Sequence, residues 1–200
     1  MDAFDDSHEA IAELERDGHS MLLRALDRDD GTPVLVRRLV RSRRFDVDVR
    51  AGLVAGAEYC ARLACTRCPE AETVTLEDGE LVLEYKGADG VELDRVLNAL
   101  EASGRVLTPA AAVALVSEVL HNAEAIARIK PPAVEAEVWG HGEIAPRSVM
   151  LGRDGFGRLY EARLATSGFR SLSSPGSTLC RAPELAGGVL FGTPSSDVYA

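Results

Sequence analysis

Runs of apolar residues separated by turn signals divide the chain into a strand-rich first half and a helix-rich second half. Met21 to Asp27 is apolar-rich, Asp29-Asp30-Gly31 is a turn signal, and apolar residues return from Val34 to Val40. Two such runs about a tight turn predict a β-hairpin. The spacing next predicts a helix from about Val47 to Ala64. Thr73 to Leu76 and Leu81 to Tyr85 then flank Glu77-Asp78-Gly79-Glu80, a second hairpin with an Asp-Gly turn. Thr108 before Pro109 reads as an N-cap with proline in the first helical position. From there Val113, Val116, Leu120, Ala123 and Ala127 recur at helical spacing until Pro131-Pro132 ends the run. Val149 to Leu151, Asp154-Gly155 and Arg158 to Tyr160 write a further short hairpin. Strands enclosing one helix, followed by helices, predict an α+β chain of two lobes. Ser171 to Thr178 is a Ser/Gly/Pro-rich stretch that reads as a loop.

Composition narrows the classes. With 200 residues, 46% of them hydrophobic and 27% charged, the chain has the make-up of a globular domain with a sizeable core. A formal net charge of −10 argues against nucleic acid as a partner, since that binding needs a basic surface. No run of about 20 apolar residues predicts a membrane span. The opening MDAFDDSHEAIAELE is acidic and lacks the basic start and apolar core of a secretory signal, so a cytoplasmic location is expected. Cysteines stand at 60, 65, 68 and 180; the Cys65–Cys68 pair has no matching second pair of ligands and reads as reduced structural thiols. Arg37, Arg38, Arg41, Arg43 and Arg44 form a basic run. It reads as a solvated strand end and loop, or as a docking patch for an acidic segment, either the chain's own N-terminus or a partner. Trp139 is expected in the core.

The chemistry concentrates in His141 to Leu151, HGEIAPRSVML, followed by Glu161-Ala162-Arg163. This stretch resembles the catalytic loop and metal-binding motif of the bacterial serine/threonine protein kinase family. The resemblance sets His141 at the His of the His-Arg-Asp motif, Gly142 at its Arg and Glu143 at the catalytic base. It sets Ala145 at the loop Lys and Ser148 at the Asn that helps hold magnesium. Tyr160-Glu161-Ala162-Arg163 stands at the Asp-Phe-Gly, so Glu161 takes the position of the metal-binding Asp.

From about Leu14 onward the likeness continues. LERDGHSMLLRALDRDDGTPVLVRRL, Leu14 to Leu39, is similar to the glycine-rich loop and the strand of the ATP-anchoring Lys. The three loop glycines are replaced by Glu15, Asp17 and Ser20, Gly18 survives only at a spacer position, and the Lys falls at Arg37. Glu58 is the nearest counterpart of the helix Glu that pairs with that Lys, although spacing points closer to Gly56. LVLEYKG, Leu81 to Gly87, resembles the hinge strand, with Leu83 as gatekeeper and the backbones of Glu84 and Lys86 toward the adenine. GSTLCRAPE, Gly176 to Glu184, resembles the end of an activation segment, and Ser195 to Tyr199 the start of the helix that anchors the catalytic loop.

What the resemblance implies is a two-lobed kinase-like fold. It has an acidic N-terminal segment over residues 1–13, a β-rich N-lobe over 14–86 and a helical, incomplete C-lobe over 87–200. Phosphoryl transfer rests on positioning and on neutralisation by metal and Lys, and six of those positions are altered together. The expectation is a pseudokinase that requires no cofactor, binds ATP and magnesium weakly, and acts on protein partners rather than at a membrane. The alternatives are an atypical active kinase using Arg37, Glu143 and Glu161, and a nucleotide-binding switch without catalysis.

Overall fold

The computed structural model describes residues 3–16, 20–61, 68–76, 78–87, 89–128, 140–142, 144–160, 180–186 and 193–200. They form a mixed α+β chain of two compact units. Described residues between 3 and 61 and between 70 and 87 make the first; residues 68–69 and those from 89 onward make the second.

The first unit opens with a short helix α1 (Ala3–Ser7) and strand β1 (His8–Arg16). Strands β2 (Ser20–Asp27) and β3 (Pro33–Leu39), helix α2 (Val47–Ala61), and strands β4 (Glu70–Thr75) and β5 (Leu81–Lys86) follow. All strands pair antiparallel in the order β1-β2-β3-β5-β4. The Asp78-Gly79 turn closes β4 to β5 through Gly79 N–H to Leu76 O and Leu76 N–H to Glu80 O, at 2.9 and 2.8 Å.

Side chains alternate across a strand, and β3 is buried on both faces from Val34 to Leu39. One face gathers Leu23, Ala25, Val34, Val36, Leu76 and Val82 under the ring of Phe4. Arg38 stands on this same face with its guanidinium 4.7 Å from the Phe4 ring centroid. Its Nε and Nη2 donate to both carboxylate oxygens of the buried Glu80, at 2.8 and 2.9 Å. Arg44 lies 3.2 Å from the same carboxylate.

The second unit holds β6 (Gly90–Glu92), α3 (Leu93–Ala102), α4 (Pro109–Ala127), a 3₁₀ turn (Pro146–Ser148), and strands β7 (Val149–Gly152) and β8 (Gly157–Leu159). Short helices α5 (Pro183–Ala186) and α6 (Pro194–Tyr199) complete it. The small sheet runs β6-β7-β8, antiparallel throughout. Thr108 caps α4 by accepting from Ala111 N–H at 3.2 Å. The helix docks on β8 through buried Asn122, whose amide donates to Gly157 O at 2.9 Å. Among the described residues α4 alone is long and apolar enough to span a bilayer by length and composition, and Val113, Val116 and Leu120 on it are exposed.

Three features depart from the expectations. Residues 8–13, read as part of an acidic segment, belong to β1, and the apolar Phe4 before them roofs the sheet. The arginine run is solvated only in part: Arg41 is exposed, but Arg37 and Arg38 are buried, because carboxylates distant in the chain meet them inside the fold. A strand and an amphipathic helix, β6 and α3, precede the capped helix in the half read as helical. The helix expected over Val47 to Ala64 is described to Ala61, and Cys65, Trp139 and the Ser171–Thr178 stretch lie outside the described residues. Phe4→Ala, which empties a fully buried aromatic site, is expected to lower the unfolding free energy of the first unit by about 3 kcal/mol. Urea denaturation followed by far-UV circular dichroism measures it; an unchanged midpoint would show that Phe4 is a passive part of the tail.

Candidate functional site

Directly opposed residues in a sheet share a face. In the first unit one such row crosses four strands: Glu15 opposite Leu22, Leu22 opposite Arg37, and Arg37 opposite Leu83. The position equated with the ATP-anchoring Lys and the gatekeeper position are therefore immediate neighbours. Arg37 is fully buried. Its Nη1 donates to Ser20 Oγ at 2.8 Å and its Nη2 to Glu15 Oε2 at 2.7 Å.

Both acceptors stand at positions that the resemblance equates with glycines of the loop. The Glu15 carboxylate neutralises the guanidinium. A bulge makes this possible. Glu13 pairs with Leu23 but Glu15 with Leu22, so Leu14 is an extra residue in β1. In a regular ladder, with Leu14 opposite Leu22, Glu15 falls on the other face.

Glu84 lies in β5 between two paired neighbours, opposite Val36 of β3 and Glu72 of β4. Lys86 is likewise opposite Val34 and Glu70. Their main chains run within the sheet ladders. The Glu84 side chain is buried on the Phe4 face, where Oε1 lies 2.9 Å from His8 Nε2. The imidazole stacks on the Phe4 ring at 4.8 Å and meets Ser7 Oγ at 2.8 Å. Lys86 is exposed, and its pairing with Glu72 holds the ammonium above its ordinary pKa. Glu58 is exposed on α2.

In the second unit the loop with the His-Arg-Asp likeness is fastened from α6. The Asp197 carboxylate accepts from His141 N–H through Oδ2 and from Gly142 N–H through Oδ1, the latter at 2.9 Å. Thr193 and Ser196 cap that helix reciprocally, with Pro194 in its first turn, and so aim Asp197 inward. Gly142 takes φ 90°, a left-handed conformation natural to glycine. At Gly140 any Cβ runs into the Asp197 carboxylate and the Thr193 carbonyl.

His141 is buried, and its Nε2 bonds Tyr160 O at 3.0 Å, which joins the loop to the residue before Glu161. Ala145 is buried. The hydroxyl of Ser148, also buried, accepts from Ala145 N–H at 3.0 Å and donates to Ala145 O at 2.9 Å. The position equated with the metal-binding Asn is thus turned back onto its own loop.

Gly18, Glu143 and Glu161 lie outside the described residues. Among the described residues no group of three His, Cys, Asp or Glu side chains is disposed to hold a metal ion. Cys60 is buried, and Cys68 Sγ lies 3.6 Å from Asn122 Oδ1. Asp197 is the functional residue that motif reading named only as part of a helix. The signal for it is Thr193-Pro194, a cap of the kind already read at Thr108-Pro109. No family model and no curated protein matches the chain.

One buried and one part-buried amide depend on Asp197, and leaving a buried amide without an acceptor costs on the order of 1–3 kcal/mol. Asp197→Ala is therefore expected to accelerate hydrogen exchange at His141 and Gly142 by about tenfold or more while the β1–β5 amides stay protected. Unchanged exchange at those two amides would show that the loop holds itself.

Proposed function

We propose that this chain is a kinase-like module without phosphoryl-transfer activity, of the pseudokinase kind, acting by binding protein partners. The observation that carries the reading is the loop fastened by Asp197. The loop that resembles a kinase catalytic loop is held through its main chain, while the residues at the positions of the loop Lys and the Asn are Ala145 and a self-bonded Ser148. A scaffold of this cost is retained for shape, since transfer needs charge at those positions and finds a methyl and an engaged hydroxyl.

The first unit supports the same reading. A hairpin at the glycine-loop position, an Arg strand, a helix and a hinge-like strand follow in the expected order and form one sheet, with Arg37 beside Leu83. The short helix α5 begins at Pro183 of Ala182-Pro183-Glu184, within the stretch that resembles the end of an activation segment. We place the module in the cytoplasm on its acidic composition.

Purified protein incubated with radiolabelled ATP, magnesium or manganese, and a generic acceptor is expected to incorporate no label above background. Incorporation that disappears in Glu143→Ala would overturn the reading and restore Glu143 as a working base.

A further inference from the structure

We propose that the outward face of α4 is the contact by which two copies of this chain pair, with the two helices antiparallel. The proposal goes beyond the noncatalytic reading and stands without it, since it depends neither on a nucleotide nor on the His141 loop.

A helix at a protein surface ordinarily turns an apolar stripe inward and a polar face to water. α4 departs from this. Its inward side carries Asn122, Ala123 and Ile126, all buried, and the Asn122 amide fastens it to Gly157 O of β8. On the other side Val113, Val116 and Leu120 follow at spacings of three and four residues, which sets them in one line along the helix. They keep 66%, 56% and 45% of their surface exposed. Between Pro109 and Ala127 the only acidic residues are Glu118 and Glu124, and there is no Lys or Arg. Aliphatic side chains exposed in a line mark an interaction face, whereas scattered ones are ordinary surface.

The charges at the two ends of the stripe select its occupant. Glu124 is exposed beyond Leu120 and pairs with Arg128, itself exposed. Such a pair in water is worth little, and Arg128 lies about 40° further round the helix from the stripe. At the other end Arg105 is exposed just ahead of the helix. The first turn there also presents amide hydrogens and the positive end of the helix dipole. An antiparallel copy with Val113 against the partner's Leu120 brings Glu124 to the partner's first turn and Arg105, and the two-fold axis repeats the contact. A parallel copy would set Glu124 beside Glu124 and Arg105 beside Arg105.

A bilayer is the other apolar surface that the length and composition of α4 would suit. One side of the helix is instead fastened to β8 by a polar amide, and a net charge of −10 opposes approach to anionic lipid. α4 shows ten exposed residues, against the roughly 20–30 a side of a standard stable interface, so pairing is expected in the micromolar range.

The experiment is sedimentation equilibrium of the full chain across that range, with far-UV circular dichroism of each variant. Wild type is expected to pass from monomer to dimer. Val116→Glu and Leu120→Glu are each expected to weaken pairing by about thirtyfold or more, the weight of a central interface residue, and to keep the wild-type dichroism. Arg105→Glu and Glu124→Arg are each expected to weaken it by about threefold to fivefold at low salt, and the double variant Arg105→Glu/Glu124→Arg to restore it.

A wild type that stays monomeric overturns the proposal. So does a dimer indifferent to Val116→Glu and Leu120→Glu, or a double variant that pairs no more tightly than the single ones. Loss of helical signal in Val116→Glu and Leu120→Glu also overturns it, since the face would then be covered within one chain. Binding of wild type to phosphatidylcholine–phosphatidylglycerol vesicles that Val116→Glu abolishes would assign the face to lipid instead. The label-incorporation assay judges the noncatalytic reading separately, so either idea can fail alone.

Discussion

The first unit is organised around two guanidinium groups in the middle of a sheet. Arg37 and Arg38 are successive residues of β3, so they point to opposite faces, and both faces are closed. A buried charge without a partner is far more expensive than a lost surface pair, and removing one member of a buried ion pair costs about 3–5 kcal/mol. Each face must therefore deliver a carboxylate to a fixed place. Glu80 arrives for Arg38 from the turn between β4 and β5, and Glu15 arrives for Arg37 from the edge strand. The Asp78-Gly79 turn, the β1 bulge and the Phe4 ring over Arg38 are all placed in accord with these two demands.

The second unit obeys a different constraint. Its loop backbone is irregular, and irregular buried backbone must find acceptors for its amides. Asp197 supplies them from α6, and His141 returns a bond to Tyr160. Shape in this region is maintained by one carboxylate and one imidazole acting on main-chain atoms. Such contacts act on main-chain atoms and so place few demands on the identity of the neighbouring side chains.

Turns and caps were the legible part of the fold, because their causes are local. Asp-Gly pairs at 78–79 and 154–155 and the Thr-Pro cap at 108–109 each state their geometry within a few residues. The same grammar at Thr193-Pro194, and apolar residues at 93, 96, 97 and 100 along α3, were present and went unread. The arginine run misled for a physical reason. Charge density in sequence reports solvation only when no counter-ion returns from afar, and here the partners lie 22 and 42 residues away. Of the site, the positions of Arg37, Leu83, Ala145 and Ser148 were legible as a pattern. What their side chains touch was not, since that depends on register, and one added residue in β1 alters it.

That added residue has a consequence for how such chains diverge. Were Leu14 taken into a regular ladder opposite Leu22, Glu15 would turn to the opposite face and strand a guanidinium in the interior, whereas deleting Leu14 would close the bulge and leave Glu15 opposite Leu22. The instruction that neutralises Arg37 is written in the pairing of Glu15 with Leu22 as much as in the identity of Glu15. Chains of this pattern are therefore best compared here by strand register, for a gap at Leu14 is absorbed while a one-residue slip of β1 against β2 is not.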